Sequence, residues 1–387
     1  MPEQSNKDKI HVVEIMASGA SVHYFNLFAE KAKQHPEIKL SFVCLNEKPT
    51  QMLEDMKGYG CDCYWVYFDA SKRKTSFIKA YRSLKKLFKK IKPDIVHSHL
   101  FDDGLPSVLA AKHAGVKVRV HTKQSTAFHW YFAPKAVWFD RLINRTATHL
   151  IAVSSEAQEF ILEKEKAQKE KVHLIHHGIS FENLTHATEE QKEEIKFRFN
   201  LEGKKVVGTL CRYIEWKGYK HLINAAERLK DKYPDLIFLG VGSGGQEAEL
   251  KQIIKQKGLE DQFILTGWIE KKKIPAVIQS FNVYAHAAFM EPFGFVIPEV
   301  VINKIPIVTT PTGSARDAIT HLKEGYIAPY NDSAKLAEGI DYMLSNNTEE
   351  FVNAAYEKVS KIYSIDLMWE KHLNLYKNAI AQLYNGK

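Results

Sequence analysis

Residues 287–300 read AAFMEPFGFVIPEV. The run is almost wholly apolar, yet it carries Glu291 and Glu299, eight positions apart, and two prolines, Pro292 and Pro298, in what otherwise reads as a helix. Pro298 sets where that helix starts. Deep in a helix a proline lacks a needed N–H and clashes with the carbonyl four residues back, at about 3 kcal/mol. In the first turn the N–H would have no intrahelical partner anyway. The helix is therefore expected to begin near Gly294 or Phe295. Glu291 then lies in a strand-to-helix loop after the strand-like "NVYAHAA", and Glu299 lies in the second helical turn.

Backbone amides at such a helix start carry a partial positive charge and favour an anion, phosphate above all. Carboxylates do not bind phosphate; they accept hydrogen bonds from hydroxyls. Two acids flanking an anion site therefore suit a ligand with hydroxyls at both ends and phosphates between, such as a nucleotide sugar. Glu299 would hold ribose hydroxyls and Glu291 the hydroxyls of the sugar.

Outward from this unit, short apolar runs alternate with helical patterns along the whole chain. "IHVVEIM", "LSFVCL", "DCYWVYF", "PDIVHSH", "KVRVHT", "THLIAVS" and "VHLIHHGIS" read as strands of a first series. "KKVVGTLC", "LIFLGVG", "QFILTG", "NVYAHAA" and "PIVTT" form a second. In "FIKAYRSLKKLFKKIK", Phe77, Tyr81, Leu84, Phe88 and Ile91 share one helical face. The alternation predicts an α/β protein of two doubly wound, Rossmann-like parallel-sheet domains. The expected bounds are 1–178, 179–365 and a C-terminal helix, 366–387, returning across the joint. A length of 387 residues fits two cores rather than one. Ligands are then expected in a deep cleft between the domains, beyond the carboxyl ends of strands.

Composition narrows the function further. No apolar run approaches a membrane span, and the first residues, MPEQSNKDKI, lack an apolar signal core. Cys44, Cys61, Cys63 and Cys211 form no CxxC pair, so a reduced, cytoplasmic protein without a structural metal is expected. The net charge of +8 is uneven: residues 1–180 hold 28 of the 54 Lys and Arg but only 19 of the 46 Asp and Glu. No recognition helix or aromatic–basic interleaving supports nucleic acid. The lysines of 77–92 either solvate the outer face of a core helix or meet an anionic bilayer, at about 1 kcal/mol per basic residue.

Two more stretches bear on chemistry. In "GTLCRYIEWKGYKHL", Arg212 ends a strand and Lys217-Gly218 opens a helix; a planar fork and a point charge suit a diphosphate. "GVGSGGQEAEL" and "TTPTGSARDA" are glycine turns between strand and helix, the second offering backbone amides at Gly313 and Ser314.

Together, "EPFGFVIPE", the Arg…Lys-Gly pair and "GSGGQEAEL" resemble a GT4 retaining glycosyltransferase of the GT-B fold, and "KPDIVHSHL" and "VHLIHHGIS" resemble its first-domain strand and interdomain joint. The resemblance implies catalytic roles for His121, Glu291, Arg212 and Lys217. It implies donor contacts for Gly19, Arg212, Lys217, Gly294, Phe295 and Glu299. His99, Gly242, Trp268, Gly313 and Ser314 complete the candidates. It also implies a nucleotide-sugar donor as substrate, no cofactor and no metal. The acceptor would be a saccharide, a lipid-linked saccharide or a small molecule, at work in surface polysaccharide or glycoconjugate synthesis. With the basic first half, this places the protein in the cytoplasm or at the inner face of the membrane. Two rivals stand beside it: a nucleotide-sugar epimerase on the same scaffold, and a non-catalytic binder of nucleotide sugars or polyanions.

Overall fold

A computed structural model describes residues 9–18, 23–124, 127–181 and 184–385. The chain forms two compact units, Met1–Gly178 with Ile365–Lys387, and Ile179–Ser364.

In the first unit the described strands are β1 (Ile10–Met16), β2 (Ile38–Asn46), β3 (Asp62–Tyr67), β4 (Ile95–Ser98), β5 (Val118–Lys123), β6 (His149–Ala152) and β7 (Val172–Leu174). They lie in the order β3-β2-β1-β4-β5-β6-β7, all parallel. β1 is buried along nearly its whole length because helices cover both faces of the sheet, which is why it reads as a continuous apolar run. In the second unit β8 (Val206–Leu210), β9 (Ile237–Val241), β10 (Phe263–Leu265), β11 (Val283–His286), β12 (Ile307–Thr309) and β13 (Tyr326–Ile327) take the order β10-β9-β8-β11-β12-β13. In each sheet the chain winds outward from one strand and then restarts on that strand's other side. The switch points are β1/β4 and β8/β11, and ligands of open parallel sheets bind beyond the strand ends there.

The helix expected over 77–92 runs Arg73–Ile91. It starts earlier because Asp69 accepts the Ser71 amide (2.8 Å) and caps a single turn, Ala70–Lys72, that leads into it. The strand expected from "VHLIHHGIS" is only Val172–Leu174. β13, two residues long, had no sequence signal. The terminal helix Ile365–Asn385 shares the first unit's core: Met368, Trp369, Leu375 and Tyr376 cluster with Phe25 and Phe28. A Cβ at Gly178 would lie 2.6 Å from the Ile365 Cα, so chain exit and re-entry touch.

Candidate active site

At the β8/β11 switch point Arg212 follows β8, and a short turn, Glu215–Lys217, leads through Gly218 into the helix Tyr219–Leu229. Gly218 has φ +73, and a Cβ there would fall 2.1 Å from the Ala287 carbonyl oxygen. Only glycine lets this turn close on the loop after β11. The Phe289 amide donates to the Trp216 carbonyl (3.0 Å) and locks the two loops together. As a result the buried Lys217 ammonium contacts the Glu291 carboxylate directly. Burial and the nearby Arg212 pull the Lys217 pKa down; the touching carboxylate opposes that pull. Arg212 is exposed, and its guanidinium has no hydrogen bond or ion pair among the described residues.

The helix after β11 is Val296–Ile302, with Phe295 at its N-cap and Pro298 in its first turn. Its Ile297 amide donates back to the Gly294 carbonyl (3.1 Å). Glu299 is half-buried. Its carboxyl has no hydrogen bond or ion pair among the described residues, and desolvation pushes its pKa up to about 7. Lys271 is the one charge that opposes this.

The loop after β12 braces the Glu291 turn from beneath. Gly313 has φ +51, and a Cβ there would lie 2.4 Å from the Phe293 carbonyl oxygen and 2.6 Å from that of Glu291. The Ser314 amide donates to the Phe293 carbonyl (2.5 Å), and its hydroxyl donates to the Gly294 carbonyl (3.0 Å). The expectation that Ser314 presents a free amide is thereby corrected: the neighbouring turn takes it. Gly242, after β9, has its amide on the Gly267 carbonyl (3.2 Å), and Trp268 beyond it is 70% exposed.

In the first unit His121, on β5, is sealed, with Nδ1 2.9 Å from the Ser98 hydroxyl. Burial, then Lys123 and two histidines, hold its pKa well below the usual range, so the ring is neutral. A Cβ at Gly104 would come within 2.6 Å of the ring, so this glycine, in the first turn of the helix Phe101–Ala114, makes room for it. His99 is fully buried, and its Nε2 lies 2.6 Å from a Glu14 carboxylate oxygen. The other Glu14 oxygen meets His97 Nδ1 (3.0 Å) and accepts from the Tyr376 hydroxyl (3.0 Å). Burial works against the Glu14 charge, but His97 and His99 outweigh it and hold its pKa below the ordinary carboxyl range. Glu14, His97 and His99 gather three potential metal-ligand atoms within 4.8 Å. His97 Nδ1, His99 Nε2 and both Glu14 oxygens are engaged in this hydrogen-bonded network, whereas the buried His99 Nδ1 has no partner among the described residues. Asp103 accepts the amides of His99 (2.7 Å), Leu100 and Ala17 (2.9 Å), tying together the ends of β4 and β1. Gly19 lies outside the described residues.

Residues 17–183 match the Glycosyltransferase Family 4 profile, and residues 191–360 match Glycosyl transferases group 1. The chain belongs to the family 4, group 1 glycosyltransferases. It is 25% identical over 311 residues to EpsF of Bacillus subtilis (strain 168), named as a glycosyltransferase, with 79% of each chain covered. It is 24% identical to the Escherichia coli UDP-Gal:alpha-D-GlcNAc-diphosphoundecaprenol alpha-1,3-galactosyltransferase, over 86% of this chain and 87% of that one. The crystal structure of Anabaena Alr3699/HepE in complex with UDP and glucose superposes with a TM-score of 0.80, at 17% identity, over 95% of this chain and all of the other. The fold is GT-B.

In this glycosyltransferase the structure brings Lys217, Glu291, Gly294, Gly313 and Ser314 into one cluster of loops, with Arg212 close enough to Lys217 to affect its charge. His99 instead belongs to the Glu14 network. Sequence reasoning missed Glu14; its signal was an acid inside an otherwise apolar strand, "IHVVEIM". It also missed His286, the last residue of β11. That ring is fully buried, its Nδ1 lies 3.3 Å from the Tyr284 hydroxyl, and its Nε2 has no partner among the described residues. Burial, then Lys217, push its pKa down to about 3, so a neutral imidazole stands beside the Lys217–Glu291 pair.

Proposed function

We propose that this glycosyltransferase moves a sugar from a UDP- or GDP-sugar to a saccharide, lipid-linked or small-molecule acceptor, with retention at the anomeric carbon, in surface polysaccharide or glycoconjugate synthesis. The observation that carries the donor assignment is Glu299, a desolvated carboxyl with no hydrogen-bond or ion-pair partner among the described residues, on the helix that follows the Lys217–Glu291 cluster. A ribose diol supplies the two hydroxyls such a group lacks. The donor named for the E. coli relative and the UDP and glucose held by the Anabaena protein support the same class.

Arg212 and Lys217 would meet the diphosphate. As the phosphate takes Lys217, Glu291 is released to accept from a sugar hydroxyl. The bond from anomeric carbon to phosphate oxygen breaks, the acceptor oxygen bonds to that carbon on the same face, and its proton passes to the leaving phosphate. Preorganised cations that stabilise the departing charge supply the rate, one such donor being worth ~3 kcal/mol. Their charge does the work in this reading without a metal ion or cofactor, and the family resemblance alone assigns the neutral, buried His121 ring to the reacting sugar.

The same proposal places the protein in the cytoplasm, peripheral at the inner face of the membrane. No described helix is long and apolar enough to cross a bilayer. The helix Arg73–Ile91 carries eight Lys and Arg and no acid, as a headgroup-facing element would.

The test is a screen of nucleotide-sugar hydrolysis by the purified protein, with and without saccharide and lipid-linked acceptors. Slow hydrolysis of one donor, replaced by transfer when acceptor is added, is expected. Conversion of the donor to its epimer without acceptor would assign an isomerase instead. UDP binding with no turnover of any donor would leave only a binder.

A further inference from the structure

The first unit carries an aromatic surface that the chemistry above leaves unused. Between β5 and β6 the chain forms a short helix, Phe128–Phe132, a turn, Pro134–Ala136, and a second helix, Val137–Thr146. Phe128, Trp130, Tyr131, Phe132, Trp138 and Phe139 are all exposed, Tyr131 by 60% and Trp138 by 63%. Single exposed apolar residues need no explanation, but six large rings in twelve residues mark an interaction site.

The segment is firmly seated. Asp140 is buried, accepts from His129 (2.8 Å) and lies 3.5 Å from the buried Lys123 at the end of β5. Lys123 also pairs with Glu165 (2.9 Å), which accepts from Asn144 (2.6 Å). The rings are therefore held outward from a fixed base. Asp140 is the only acid in 128–141, and it faces inward, whereas Lys135 and Arg141 are exposed. Within 128–141 the exposed groups are rings and cations; the adjoining helix Ser155–Glu163, whose Phe160 ring lies 6.1 Å from that of Trp130, adds the exposed Glu159 and Glu163 at its border.

This platform adjoins the basic helix. The helix Phe101–Ala114 packs between Arg73–Ile91 and Val137–Thr146. Its first residue, Phe101, lies 5.9 Å from the Phe77 ring, 4.4 Å from His129 and 6.3 Å from Phe139. Arg73 closes the same border with two hydrogen bonds to Asp102 (2.9 and 3.1 Å). Beyond it Lys74, Lys79, Arg82, Lys86, Lys89 and Lys90 are exposed, with Ile78 among them at 55%.

Tryptophan, tyrosine and phenylalanine sit at the headgroup level of a bilayer, and clustered lysines and arginines bind anionic headgroups. We propose that this face docks on an anionic bilayer, the 128–139 platform entering the interface and the 73–91 helix lying along the headgroups. The inference rests on the inner-face location proposed above and adds the segment that enters lipid. It deepens the choice of acceptor too: the platform begins five residues after β5, which carries His121, so a lipid-anchored saccharide would arrive beside that strand.

The full chain is tested on vesicles of phosphatidylcholine alone and of phosphatidylcholine with phosphatidylglycerol. Cosedimentation reads binding, and quenching of tryptophan fluorescence by brominated lipid reads insertion. The wild type should bind only the anionic vesicles, less in high salt, and be quenched. Trp130→Ala with Trp138→Ala should weaken binding at least about tenfold and remove most quenching, leaving thermal midpoint and donor hydrolysis unchanged. Trp130→Tyr with Trp138→Phe should retain most binding. If the wild type binds anionic vesicles but the alanine pair binds equally well, the platform does not enter lipid and the inner-face location stands. If the wild type binds neither vesicle, both fall, while donor hydrolysis reports separately on the transferase.

Discussion

Glu14 and Glu299 are the two carboxyls that most clearly separate the two units. Glu14 lies in a central strand and Glu299 in the helix that follows one, and both lose solvent. Burial raises the pKa of each, but His97 and His99 overturn that effect at Glu14, whereas nothing of comparable strength offsets it at Glu299. The difference teaches how to sort buried acids. A carboxyl whose oxygens are already taken by histidines and a tyrosine holds architecture, here joining β1, β4 and the terminal helix. A carboxyl with no partner among the described residues, as at Glu299, suits the ribose contact proposed above.

The largest expected effect breaks the satisfied side. Glu14→Ala leaves His97, His99 and Tyr376 facing a cavity, and losing one partner of a buried charged cluster costs about 3–5 kcal/mol. Denaturant unfolding should show that loss, with UDP affinity per folded molecule unchanged. The pH dependence should differ as well. Because its folded pKa is depressed, Glu14 contributes stability at neutral pH that is lost as pH falls below the ordinary carboxyl range. Glu299, with a raised pKa, contributes stability at low pH that is lost as pH rises toward about 7.

Next in size is the cation pair. Arg212→Ala and Lys217→Ala should each weaken UDP or GDP by roughly 1.5–3 kcal/mol and abolish most turnover. Only Lys217→Ala should also lower the melting temperature, since it strands the Glu291 carboxylate. Calorimetry with the diphosphate beside thermal unfolding separates the two. Equal diphosphate affinity in both variants and the parent would sink the clamp assignment.

Glu299→Gln is expected to do less, and its signature is in the pH profile. The carboxylate accepts two hydroxyls better than the acid does, so the wild type's advantage over the variant in diphosphate affinity should grow as pH rises through about 7. A constant advantage across that range would place Glu299 away from ribose. The smallest effect on binding is expected from Glu291→Gln. It frees Lys217 from its ion pair, so UDP affinity should hold or rise while the transfer rate falls, the mark of a contact made to the sugar in the transition state. A drop in UDP affinity equal to that of Glu299→Gln would return Glu291 to a purely structural role.

Much of this was written in local chemistry. Strands buried on both faces need unbroken apolar runs, so β1, β2, β8, β9 and β11 were legible. Pro298 in "EPFGFVIPE" located the helix start, and Gly218 announced a turn where only glycine fits. The helix Arg73–Ile91 showed its period, but its first turn depended on a cap, Asp69, outside the apolar pattern. β13 is too short to carry a pattern.

The sequence by itself determined two α/β series, their strand–loop–helix joints and the residue types gathered at those joints, because these follow from hydrophobic period and from glycine and proline. Only the tertiary structure decided who meets whom. β8 and β11 are neighbours in the sheet though more than seventy residues apart, and this is what presses Lys217 onto Glu291. The same chain distance hid Glu14's partners, one of which, Tyr376, lies 362 residues away. It hid the use of the Ser314 amide by the Phe293 carbonyl. It hid, too, that Phe101 would join a basic helix to a ring of exposed aromatics. A residue's type is a local fact, but its charge state and its freedom depend on contacts that form only when the sheet order closes.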